Sequence, residues 1–244
     1  MEAKARLGSL YVEPESPPED AEPPALELID VFKIFSSGST ETVALRGLSL
    51  EVAPREMVAV VGPSGSGKST MLSVAAAMDV PSAGEVRIDG RSLARLDEVE
   101  LARIRSSQVA IVFQSENLWP TLTAAESVAA CVRLAELDRD PDEAAMESLA
   151  IFGLEQRARN TPDRLSGGEQ QRVAIAAAAA RRPRLVLADE PTGELDRANE
   201  AIVLDTLKEL RDTYQSAVVL ITHSRRVAAS CDRVVEIVDG RVAG

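Results

Sequence analysis

At 244 residues, with 45% hydrophobic and 27% charged side chains, the chain has the material for one large globular domain with a full core. Its formal net charge of −12 argues against a nucleic-acid binder working by general electrostatics. Cys131 and Cys231 stand far apart with no CxxC or Cys/His cluster, so inert thiols are expected rather than a disulfide or zinc site.

Residues 1–25 are dominated by proline and acid, as in Glu13-Pro14-Glu15-Ser16-Pro17-Pro18-Glu19-Asp20, and read as a disordered tail. Such a tail is either a solvated appendage or a docking segment. Folded sequence is expected from Leu26. Residues 26–35 and 42–53 read as two strands, with alternation visible in Leu48-Ser49-Leu50-Glu51-Val52. Phe35, closing the first strand, either packs in the core or offers its face to a flat ring.

The apolar run Met57 to Val61 is followed by Gly62-Pro63-Ser64-Gly65-Ser66-Gly67-Lys68-Ser69-Thr70 and a helix-like stretch, 70–78. Strand, glycine-rich loop and helix are the context that the phosphate-binding pattern G-x-x-x-x-G-K-[ST] requires. Glycines let successive N–H groups face one anion, and the helix points its positive end there. Lys68 is placed to reach β- and γ-phosphates, and the Ser69 hydroxyl to ligate Mg²⁺.

A strand over 85–89 and a charged helix over 92–106 follow. Residues 108–113 read as a buried strand ending at Gln114. Apolar periods over 124–137 and 142–153, split by Asp140-Pro141, predict two helices of a small helical subdomain at about 115–165. Strands return at 185–188 and 217–222 with a helix over 198–213 between them, and 234–242 closes as a hairpin. Alternating helices and buried strands predict an α/β fold with a mainly parallel sheet and ligands at the carboxyl ends of its strands. Gly62, Gln114, Asp189 and His223 all fall at such ends.

Asp189-Glu190, after four apolar residues, reads as a metal-holding acid followed by a group that accepts a proton from, or orients, an attacking water. In Leu165-Ser166-Gly167-Gly168-Glu169-Gln170-Gln171-Arg172, Ser166 and Glu169 form a capping box. Two glycines at a helix start cost propensity, which makes sense where an anion approaches the exposed N–H groups.

With these motifs together, residues 26–244 resemble the nucleotide-binding subunit of an ATP-binding-cassette (ABC) transporter. The resemblance rests on the Walker A loop 62–70, the Q-loop Gln114, the signature 165–172, the Walker B run 185–190, the D-loop Gly193-Glu194-Leu195-Asp196 and the switch histidine, His223, the one histidine of the chain. It implies a P-loop NTPase core, an N-terminal antiparallel β subdomain and an inserted α-helical subdomain. It also implies ATP and Mg²⁺ as cofactors and two subunits pairing head to tail. ATP on 62–70 of one would be covered by Ser166, Gly167 and Gly168 of the other. Phe35 would stack on adenine, Ser69, Gln114 and Asp189 would surround Mg²⁺, and Glu190, His223 and Gln114 would carry hydrolysis.

Several stretches (43–50, 113–123 and 188–193) resemble the lipoprotein-release and macrolide-export subfamily, which includes the cell-division ATPase FtsE. The subfamily implies a separate integral membrane permease as partner. It implies work by export, lipoprotein release or force transmission, with regulation of an extracytoplasmic cell-wall hydrolase as the alternative. A soluble ABC ATPase acting on DNA or ribosomes is disfavoured by the acidic charge and the single cassette. With neither a membrane span nor a signal pattern, a cytoplasmic protein peripheral to the inner face of the membrane through its permease is expected. Ala177, Glu194, Glu116 and Ser224 depart from the family's common residues without removing a catalytic group. Trp119 either meets the permease or packs within the helical subdomain.

Overall fold

The computed structural model describes residues 22–38 and 40–243. The expected tail lies outside them up to position 21. Positions 22–25 are folded against the body: Glu22 pairs with Arg184 at 2.7 Å, and the buried Ala25 donates its N–H to Val52 O at 2.9 Å. The described fold thus includes four positions ahead of Leu26.

Two sheets carry the fold. β1 (Leu26–Ser37), β2 (Thr40–Val52), β4 (Ala83–Ile88) and β5 (Arg91–Ser92) form an antiparallel sheet in the order β2-β1-β4-β5. Leu48, Leu50 and Val52 point inward and Ser49 and Glu51 outward, the alternation of a half-buried sheet. β3 (Met57–Val61), β6 (Val109–Val112), β7 (Leu185–Asp189), β8 (Ala217–Ile221), β9 (Arg233–Val238) and β10 (Arg241–Val242) form the second sheet, ordered β10-β9-β3-β8-β7-β6. Its five longer strands are parallel and β10 is the antiparallel edge.

Both faces of the parallel sheet are covered, which is why its strands read as continuous apolar runs. Successive residues serve opposite cores. Leu185, Leu187, Val219 and Ile221 join the core shared with the antiparallel sheet, α1 (Lys68–Ala75) and Ile104 of α2 (Glu98–Ser107). Val186, Ala188, Val218 and Leu220 join the core under α3 (Ala124–Leu134), α4 (Pro141–Ile151), α5 (Gly167–Ala179) and α6 (Arg197–Tyr214). A short α7 (Arg225–Ala228) follows β8.

α3, α4 and two 3₁₀ turns, Glu155–Arg157 and Pro162–Arg164, make up the segment between β6 and α5. Asp140-Pro141 begins α4 rather than merely separating two helices: Asp140 accepts from Asp142 N and Glu143 N, and Pro141 takes the first helical position. In α5, Ala176 through Ala180 are all buried, and the small side chains allow α4 so close that Ser148 Oγ donates to Ala176 O at 2.7 Å. α2 starts later than expected, because Asp97 and Glu100 close a capping box there. α1 ends earlier, at Ala75, and Ala77 takes φ +56 just beyond it.

Candidate functional site

All the strand ends singled out by sequence meet on one edge of the parallel sheet. Gly62 follows β3, Asp189 ends β7, His223 follows β8 and Gln114 follows β6. An open cleft lies there, lined by Ser69, Phe113, Gln114, Ser115, Asp189 and Glu190, among others.

The loop from β3 to α1 is built for close backbone approach. Gly62 has φ +148, and a Cβ there would fall 2.1 Å from Ile237 O. Gly67, at φ +104, precedes α1 with no side-chain cap on the helix. The first bond of the α1 ladder runs from Met71 N to Gly67 O at 2.8 Å, so the N–H groups of Lys68, Ser69 and Thr70 have no intrahelical partner. Lys68 is buried, 7% exposed, and spends two donors on Gly62 O (2.9 Å) and Pro63 O (2.8 Å). A third ammonium donor remains. A buried cation answered only by carbonyls, beside uncapped helix N–H groups, is an anion site in chemical terms. Ser66 Oγ, also buried and without a partner, adds an unanswered polar atom to the same loop. Ser64 and Gly65 form its outer turn.

The acidic side of the cleft is stabilised differently. Burial and the charge of Glu190 raise the Asp189 carboxyl above its usual range, opposed by Lys68 and His223. Such an acid gains from a cation beside it. Ser69 hydroxyl, Gln114 amide and Asp189 carboxylate offer the hard oxygen donors that Mg²⁺ takes alongside phosphate oxygens. Glu190 holds φ +47, its N–H fixed on Ile221 O at 3.0 Å, and His223 Nε2 lies 2.8 Å from Glu190 Oε1. A Cβ on Gly193 would stand 3.1 Å from Gln114 Nε2 and 3.4 Å from Glu190 Oε2, so both side chains flank the D-loop.

Ser166 and Gly168 are not among the residues lining this cleft. Ser166 caps α5, accepting from Glu169 N at 3.3 Å and donating to Glu169 Oε2 at 3.0 Å. Arg157 Nε donates to the other carboxylate oxygen at 2.7 Å, and these bonds hold Glu169 down to about 2. The two signature glycines have different reasons. Gly168 is buried against Asn199, whose Oδ1 a Cβ would meet at 2.5 Å, whereas Gly167 is exposed with nothing nearer than Leu195 at 3.4 Å. Close packing on α6 thus accounts for one glycine, while the other has open space beside it. Phe35 is 45% exposed on the antiparallel sheet, with Lys33 Nζ 5.1 Å from its ring centroid, which removes core packing as its role.

Among the departures, Glu194 sits 3.5 Å from Gln114 Nε2, and Ser224 caps α7 through Val227 N at 3.3 Å. Sequence reasoning met Asn117 and Gln171 only inside longer motifs and gave neither a role of its own. Gln171 lies on a buried stripe of α5 with Gly168, Ile175 and Ala178, and a lone amide in an apolar stripe was the signal available.

Uncapped N–H groups, a buried lysine and a paired acid at strand ends define a P-loop nucleotide-binding fold of the ATPase class. Residues 45–193 match the sequence pattern described as ABC transporter. The lipoprotein-releasing system ATP-binding protein LolD of Geobacter metallireducens is 42% identical over 89% of this chain and 97% of its own length. The macrolide export ATP-binding/permease protein MacB of Hyphomonas neptunium is 41% identical over 90% of this chain, which spans only 34% of that protein. A solved dimer of the ATP-binding cassette MJ0796, bound to ADP and Pi in a post-hydrolysis state, superposes with a TM-score of 0.80 at 38% identity, covering 90% of this chain and 97% of that one. The chain belongs to the ABC transporter family, as its ATP-binding, ATP-hydrolysing cassette.

Proposed function

We propose that two copies of this chain pair head to tail around two ATP molecules and, through a separate membrane permease, turn hydrolysis into export, lipoprotein release or transmitted force. The observation that carries the reading is the one-sided site: cleft and phosphate loop lie on one sheet edge, while Ser166 and Gly167 are exposed at another helix end of the same chain. A second copy is the economical supplier of that missing cover.

In this reading Lys68 and the α1 N–H groups bind the phosphates, and Phe35 stacks on adenine. Bound Mg²⁺, held by Ser69, Gln114 and Asp189, would supply charge neutralisation at the phosphate oxygens. Glu190 takes a proton from the attacking water, His223 fixes the carboxylate that does so, and Gln114 orients the same water. Catalysis is then chiefly positioning of water against the γ-phosphate. No helix among the described residues is long and apolar enough to cross a membrane. Trp119, 47% exposed in an apolar groove with Leu122 and Leu134, offers the permease a surface.

The test is size-exclusion chromatography of Glu190→Gln with ATP and Mg²⁺, then purification of that variant from gently solubilised membranes of its host. An ATP-dependent dimer and a copurifying permease of few spans support the reading. A monomer at saturating ATP, or ribosomes or DNA-repair proteins in place of a permease, overturns it.

A further inference from the structure

Behind the far end of α1 lies an apolar groove that the proposed reaction does not use. Val74 of α1, Val86 of β4, Leu93 after β5 and Leu101 of α2 are among its walls. Its space is about 200 Å³, and a cavity of about 150 Å³ holds a benzene ring. Val80 lines it while 66% exposed, and Met78 and Val99, exposed as well, are two positions from lining residues. Contiguous exposed apolar surface of this kind marks a docking site. One wall also carries a polar atom without a donor. Asp79 accepts from Lys33 Nζ at 2.5 Å and from Val80 N at 2.8 Å, both at Oδ1. Its Oδ2 has no donor among the described residues. The occupant that fits is a ring with a hydroxyl, apolar in body and a donor at its tip.

The chain has two tyrosines. Tyr214 ends α6 with Arg182 over its ring. Tyr11 stands in Leu10-Tyr11-Val12, an apolar run ahead of the acidic, proline-rich stretch that leads to Glu22. The point where that stretch joins the body is fixed. Glu22 pairs with Arg184 at 2.7 Å, and Pro23 lies against Gly90, where a Cβ would meet it at 3.0 Å. Gly90 turns β4 into β5, and Leu93 N donates to Val86 O at 2.9 Å just beyond the turn. At the rise of a strand the groove therefore begins about 10–13 Å from Gly90. Residues 13–21 span up to about 28 Å at the rise of a proline-rich chain, so Tyr11 reaches the groove with slack. Charge agrees with this route. At the start of α2, Glu98 is paired with Arg105, Glu100 with Arg91, and Asp97 serves as the helix cap. Arg95 is exposed and meets no carboxylate among the described residues, which leaves a cation for Glu13, Glu15, Glu19 or Asp20.

We propose that this groove is the docking site of the chain's own N-terminal segment, with the Tyr11 ring inside, its hydroxyl donating to Asp79 Oδ2, and Leu10 and Val12 against the exposed apolar rim. No residue lining the groove lines the catalytic cleft. Docking is therefore compatible with bound nucleotide and independent of the pairing of two copies.

The experiment uses the full chain with the photoreactive residue p-benzoylphenylalanine in place of Val12, which keeps Tyr11. Dilute protein is irradiated and the crosslinked peptides are mapped by mass spectrometry. The crosslink should form within one chain, onto residues 74–86 or 93–101. Val80→Asp and Ala94→Glu each put a charge into the groove at an exposed position, and each should lower the crosslink yield at least about tenfold. Tyr11→Asp should do the same, and Tyr11→Phe, which loses only the hydroxyl, should lower the yield less. Melting temperatures near that of the parent show that the groove variants are folded, and one folded variant suffices to decide. An unchanged yield in a folded groove variant overturns the proposal. So do crosslinks on the catalytic cleft or scattered over the surface. A crosslink between two chains, growing with concentration, makes a second copy the occupant and overturns it too.

Discussion

His223 Nε2 stands 2.8 Å from Glu190 Oε1, and the two residues follow neighbouring parallel strands, β8 and β7. The pairing is held from behind by backbone, since Glu190 N donates to Ile221 O at 3.0 Å. Glu190 occupies φ +47, a left-handed conformation that a glutamate adopts only where its surroundings impose it. The carboxylate is thus aimed before any ligand arrives. Glu190→Gln should lower ATP turnover by about 10²–10⁴-fold, the usual worth of a positioned base, and leave ATP binding within a few-fold of wild type. Steady-state hydrolysis and a nucleotide titration check both halves, and undiminished turnover would sink the role assigned to Glu190.

His223→Ala removes the partner and not the base. It should lower kcat less than Glu190→Gln does, with KM for ATP nearly unchanged, since the imidazole is proposed to position rather than bind. A variant matching the loss in Glu190→Gln would mean that His223 itself carries the proton transfer.

Lys68→Ala takes a buried ammonium from the phosphate loop and leaves the carbonyls of Gly62 and Pro63 without their donor. A charged hydrogen bond is worth about 1.5–3 kcal/mol, so ATP affinity should fall about 10- to 100-fold. Calorimetric titration reads this directly. Affinity unchanged would show that the loop holds the nucleotide by backbone alone.

Gly62→Ala tests the loop's geometry apart from its chemistry. The new Cβ would meet Ile237 O at 2.1 Å from a backbone at φ +148, so β3 and β9 must separate locally. A loss of about 2 kcal/mol or more in unfolding free energy is expected, and denaturant unfolding measures it. A wild-type midpoint would mean that β9 gives way at little cost.

The Glu169 carboxyl is held down to about 2 from 4.5, first by Arg157 and then by Ser166. A depressed acid stabilises the fold above its unfolded pKa and loses that contribution as pH falls from about 4.5 through about 2. Arg157→Gln should therefore cost about 0.5–1 kcal/mol at pH 7, the smaller figure reflecting the half-exposed guanidinium. The gap between variant and wild type should close as pH falls toward 2. Denaturation series at several pH values decide it, and a gap that stays constant with pH would show that Arg157 acts through packing.

The chain's own order of residues made much of this visible. Met57–Val61, the glycines after it and Asp189-Glu190 are local patterns, because a strand, a turn and a helix start each need particular residue types within a few positions. The parallel sheet followed from apolar runs alternating with helices, since a sheet covered on both faces needs no polar alternation. Tertiary structure decided what depends on distant neighbours. It exposed Phe35, buried Gly168 against Asn199 and set His223 against Glu190. It also closed Asn117, Phe113 and Gln171 into one bracket across 58 positions of chain. An amide side chain has no periodic signature, and its worth lies in which donors and acceptors reach it once helix and loop have met. That meeting is fixed by the packing of α5 on the sheet, which no window of sequence contains.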